Sequence, residues 1–141
     1  MSYVRNPIET ARRGAALVEA AIVIPLFFLL LFGLLEYGWA YLKTQEIHNA
    51  ARVGVRSGIV FGAGASDVTT TVDSIMTENG LGDSGYTTTM TPSDPSTLAS
   101  GELFQVQISV DYSNIELIGI PLIPVPSSLT ETASMARPAP K

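Results

Sequence analysis

One carboxylate interrupts the apolar N-terminal run of this chain. Glu19 stands five residues past Gly14, and Arg12 and Arg13 come immediately before that glycine. A carboxylate inside an apolar helix costs up to about 2.5–3.5 kcal/mol at a bilayer centre and less near the interface. It therefore has to reach water or find a cation. By the helical rise Glu19 lies only about 7 Å from the start of the run, so its carboxylate can snorkel to lipid headgroups or pair with a positive group of a neighbouring helix. Geometry alone leaves both open.

The remaining chemistry-bearing residues are dispersed. His48 has no partner at metal-ligand spacing and no nucleophile nearby, which reads as a solvated helical position. Gly62-Ala63-Gly64-Ala65-Ser66 lacks the Gly-Lys-Ser/Thr that a phosphate loop needs, and reads as a hinge. Asp67, Asp73, Glu78 and Asp83 do not follow the spacing of a calcium loop, so an acidic solvated face is expected. The chain has no cysteine, which removes disulfides, thiolate metal sites and cysteine nucleophiles. Its net charge is −5, with Arg5, Arg12 and Arg13 clustered early, and this balance argues against a nucleic-acid partner. No catalytic group, cofactor or metal is expected.

The elements that must position Glu19 follow from hydropathy. Residues 1–14 read as a short, disordered cytoplasmic leader, by the rule that positive charge stays inside. Ala15 to Leu35 forms a helix of about 31 Å, against about 30 Å of hydrocarbon, enough for one crossing. Pro25 removes one backbone donor inside it and marks a kink. Glu36, Tyr37, Trp39 and Tyr41 mark the far interface, where amphipathic aromatic rings settle. The membrane part thus covers residues 15–41, and a protruding amphipathic part covers 42–58. Gln45, Asn49, Arg52 and Arg56 share a polar face there, while Ala50, Gly54 and Gly58 form a small-residue stripe suited to close approach by another backbone.

Residues 59–141 read as a small α+β domain. Glycines end the long helix between Gly58 and Gly64. Ser66 or Asp67 caps a second, shorter helix with Val68, Val72, Ile75 and Met76 on one face, and Gly80 closes it. Strands are expected at Tyr86 to Met90, at Leu103 to Tyr112 and at Leu129 to Met135. The second is the clearest, because Phe104, Val106, Ile108 and Val110 alternate with polar residues. In the third, Glu131 falls on the apolar side. Ile115 to Pro126, with three prolines among apolar residues, reads as an extended, packed loop. The three strands make a short antiparallel sheet packed on both helices.

The junction Arg12-Arg13-Gly14, four apolar residues and then Glu19 resembles that of type IV pilins and pseudopilins. The resemblance implies a prepilin peptidase cut after Gly14, which makes Ala15 the new N-terminus and Glu19 its fifth residue. The Ala15 ammonium can then pair with Glu19 of a neighbouring subunit and set axial register. RRGAALVEAAIVIPLFFLLLFGLLEYGWAY followed by AARVGVRSG is similar to the TadE family of the tight-adherence pilus system. Ala15-Ala16-Leu17-Val18 differs from the Phe-Thr-Leu start of type II secretion pseudopilins, and Ala20 differs from the tyrosine after the glutamate in the major Flp-type pilin.

The resemblance implies a minor pseudopilin for an adhesive pilus in the bacterial inner membrane, N-terminus cytoplasmic and C-terminal domain outside. The implied partners are the lipid bilayer, prepilin peptidase, other pilin and pseudopilin subunits, and the pilus assembly platform. The alternative expectation is an unprocessed, membrane-anchored periplasmic scaffold or binding protein.

Overall fold

The structure, a computed structural model, describes residues 7–139, with side chains from residue 14 onward. The expectation for the leader falls partly outside it: residues 1–6 are not among the described residues. From Pro7 the backbone is already helical, so the disordered reading of residues 7–14 is corrected. Pro7 suits a first helical position, where no backbone donor is needed, and Glu9, Thr10, Ala11, Arg12 and Arg13 contain no breaker.

Helix α1 runs from Pro7 to Gly58 and continues through Pro25. Helix α2 covers Ala65–Glu78. Strands β1 (Thr87–Thr91), β2 (Leu103–Asp111) and β3 (Ser128–Ala136) form one antiparallel sheet in the order β1-β2-β3. The fold is α+β, as the patterning implies: one long apolar helix, one short helix and three strands.

The core lies where the upper half of α1 meets the sheet and α2. Ile47, Ala50, Ala51 and Val55 from α1, Val68, Val72 and Met76 from α2, and Phe104, Val106, Ile108 and Val110 from β2 are all buried. Each such large side chain contributes about 1.5–3 kcal/mol by leaving water. Register keeps the apolar sides together: Val106 pairs with Met90 and Ala133, Phe104 with Met135, and Val110 with Leu129. The other face of β2 carries Gln105, Gln107, Ser109 and Asp111, and leaves the core.

The cap of α2 differs from expectation. Gly64 is the N-cap residue, and Asp67 acts from inside the first turn, its Oδ2 accepting the Gly64 N–H over 2.8 Å. A carboxylate there also faces the positive end of the helix dipole. Gly80, at φ +69, takes the left-handed conformation that ends the helix.

Candidate functional site

Gly14, Ala15 and Glu19 are all exposed on α1. Arg12 and Arg13 lie on the same helix, and their side chains fall outside the described ones. Above them Leu17, Ile22, Leu26, Phe27, Leu30 and Leu34 are also exposed. Among the described residues, nothing of the head covers this stretch. The helix is long and apolar enough to cross a membrane and is compatible with a single-pass anchor. Pro25 sits within this exposed segment.

The exit residues behave differently from free interfacial side chains. Glu36 is only 2% exposed. Its Oε1 accepts from the Tyr112 hydroxyl at 2.6 Å and from the Leu117 N–H at 3.2 Å, and its Oε2 accepts from the Ile118 N–H at 2.9 Å. Three donors converge on one carboxylate, which satisfies a charge that burial would otherwise make costly. Tyr37 donates its hydroxyl to the Pro124 carbonyl. Trp39 Nε1–H donates to the Ile115 carbonyl at 2.6 Å. Tyr41 is exposed.

Lys43 completes this junction. It is buried, donates to Glu46 Oε2 at 2.7 Å and to the Asn79 carbonyl at 3.2 Å, and lies 4.7 Å from the centroid of the Trp39 ring. Such a cation over an indole face is electrostatically favoured. Burial, reinforced by the hydrogen bond to Glu36 and by the charges of Glu36, Glu116 and Tyr37, raises the Tyr112 pKa, so its phenol stays a donor.

The small-residue stripe is occupied from within. A Cβ on Gly54 would stand 2.7 Å from Val72 Cγ2, and one on Gly58 would overlap the Phe104 ring. Ala50 is fully buried beside them. The close approach expected of another backbone is made instead by side chains of α2 and β2, because the chain's own sheet and second helix fold back on that face. Gln45, Asn49, Arg52 and Arg56 are exposed as a polar face should be.

Two further contacts went unread in the sequence. His48 Nδ1 lies 3.0 Å from Glu131 Oε2, so His48 is paired across the edge of β3 and not simply solvated. Glu131 on the apolar side of β3 is the signal that pointed to it. Arg137 is 4% exposed and donates to the carbonyls of Leu98 at 2.7 Å and Pro95 at 2.9 Å, with longer contacts to those of Gly58 and Val60. It ties the end of the chain to the end of α1.

The acidic residues are engaged individually: Asp67 in its cap, and Asp73 as acceptor from the Tyr86 hydroxyl at 2.6 Å. The described residues contain no group of three or more His, Cys, Asp or Glu arranged to hold a metal ion.

Comparison with curated proteins and with solved structures finds no match. Residues 14–56, from the glycine through the exposed span to the buried face under the sheet, match the family model described as TadE-like protein, so the likeness to that family lies in the long helix.

Proposed function

We propose that this protein is a minor pseudopilin needed to assemble a Tad-type adhesive pilus. It is inserted in the inner membrane with its N-terminus in the cytoplasm, is cut after Gly14 by prepilin peptidase, and enters or primes the filament through α1. The observation that carries this reading is Glu19, exposed on an uncovered apolar helix five residues past Gly14. An exposed carboxylate on an apolar helix, with no partner among the described side chains, suits pairing with the new Ala15 ammonium of a neighbouring subunit, an interaction strengthened by low dielectric. The exposed Leu and Phe residues supply the packing surface for other pilin and pseudopilin helices, and the assembly platform would receive the processed subunit.

Glu19→Ala tests the pairing. The variant should insert and be cleaved as the parent is, and should fail to support pili when expressed in place of it. Normal piliation with Glu19→Ala removes the mechanism.

One observation favours a second reading, an unprocessed anchored scaffold or binding protein on the outer side of the membrane. The backbone is helical on both sides of Gly14, and a hydrogen-bonded helix has to open before a peptidase can hold the bond after it in an extended form. In that reading the head alone carries the phenotype.

A further inference from the structure

Glu36, Tyr37 and Trp39 all hold the same loop. Glu36 takes the N–H groups of Leu117 and Ile118, Tyr37 takes the carbonyl of Pro124, and Trp39 takes that of Ile115. These three residues span about 4.5 Å of helical rise. Residues 115–126 are thus fastened to α1 at the level where Leu34 and Leu35 give way to polar side chains.

The loop is built for an apolar medium. From Leu117 to Pro126 no side chain carries a charge or a hydrogen-bonding group. Pro121, Pro124 and Pro126 have no backbone N–H, which lowers the number of donors left without a partner away from water. Yet the loop is only partly packed, contrary to what its composition suggests. Ile115 and Ile123 turn inward, while Leu122 is 71% exposed, Leu117 49% and Val125 39%. Contiguous exposed apolar side chains of this kind mark a surface that is covered in use.

We propose that this loop is a second membrane contact, seated at the boundary between headgroups and acyl chains beside the exit of α1. Its occupant is the lipid surface, because the loop continues the apolar exposure of the span at the point where the span ends. The proposal rests on α1 being a membrane anchor. A helix alone leaves the head free to roll and tilt about its exit; a helix and a loop together define a plane. Glu36 is then the positioning residue that holds the loop tip down, and the head presents one fixed face to incoming subunits.

The absence of cysteine allows a direct test in the full chain. Leu26→Cys, Leu122→Cys and Leu103→Cys are labelled singly with an environment-sensitive fluorophore and reconstituted in phosphatidylcholine–phosphatidylglycerol vesicles, with and without bromine on the acyl chains, placed near the headgroup end to probe Leu122 and Leu103 and near the methyl end to probe Leu26. Leu26 reports the span, and Leu103 is an exposed site near the far end of α1. The proposal expects blue-shifted emission and bromine quenching at Leu26 and Leu122, with neither at Leu103. Quenching at Leu26 with Leu122 behaving like Leu103 overturns the loop contact and leaves the anchor standing. No quenching at Leu26 overturns both. A blue shift at Leu122 without quenching means that protein covers the loop, and also overturns it.

Discussion

Tyr112 and Glu36, 76 positions apart in the chain, meet in a 2.6 Å hydrogen bond at the base of the head. This bond ends β2 on the helix that carries the apolar span, and the same carboxylate holds Leu117 and Ile118. The head is therefore fastened to α1 by a buried, three-donor carboxylate as well as by the apolar core above it.

Replacing Glu36 should loosen that fastening. Glu36→Ala leaves two backbone N–H groups and one hydroxyl without their acceptor, at about 1–3 kcal/mol for each group that stays buried. Glu36→Gln offers one oxygen and one donor where three donors point inward, so it also destabilises. Hydrogen exchange in detergent micelles checks this: the amides of Leu117 and Ile118 should lose protection, while those of β2 near Val106 keep theirs.

Space under the sheet sets a second expectation. Gly54→Ala and Gly58→Ala introduce a methyl group against Val72 and Phe104, and overpacking of this kind costs about 1–3 kcal/mol. Gly38→Ala meets nothing within 4 Å and should be neutral or stabilising by up to about 1 kcal/mol through helix propensity. Urea unfolding of the three variants, followed by circular dichroism, should separate Gly38 from the other two.

Arg137 supplies a third. Arg137→Met keeps much of the volume and removes the donors to Leu98 and Pro95; the Pro95 carbonyl keeps the Leu98 N–H, while the Leu98 carbonyl loses its side-chain donor at about 1–3 kcal/mol. Arg137→Lys should rescue only in part, since an ammonium cannot reproduce the planar fork. The unfolding midpoints of the two variants give the comparison.

Alkaline pH should destabilise the head through its tyrosines. Burial, aided by the hydrogen bond to Asp73 and its charge, pushes the Tyr86 phenol from 10.0 up to about 12, and Tyr112 is raised in the same direction. A raised folded-state pKa means that the stabilisation is complete below pH 10, where both states keep the proton. Above it the unfolded chain ionises first, and the contribution of Tyr86 is lost as pH rises toward about 12. Unfolding midpoints measured across that interval should fall, and fall less in Tyr86→Phe.

Much of this architecture could be read from local pattern. The apolar run of α1, the alternation Phe104-Val106-Ile108-Val110 and the Val68-Val72-Met76 face each declare their element because burial imposes a period on the residues that make it. What stayed hidden depends on partners far along the chain. Glu36 has the sequence context of an interfacial residue and is instead a buried acceptor, because its donors come from residues 112–118. Arg137 lies near the end of the chain with no carboxylate beside it, and only the fold brings carbonyls to it. His48 finds Glu131 for the same reason. The Ala50-Gly54-Gly58 stripe announces close packing without naming its occupant, and the fold fills it from the chain's own α2 and β2. The resemblance of the long helix to the TadE family is carried by local pattern, and the match over residues 14–56 agrees with that resemblance.

The central proposal is that this chain is processed and then assembled, and intact-mass analysis of the protein extracted from membranes addresses it most directly. The account predicts a chain beginning at Ala15, obtained only when prepilin peptidase is present. A mass corresponding to a start at Met1 or Ser2 in cells that carry the active peptidase would contradict it and leave the unprocessed scaffold in its place.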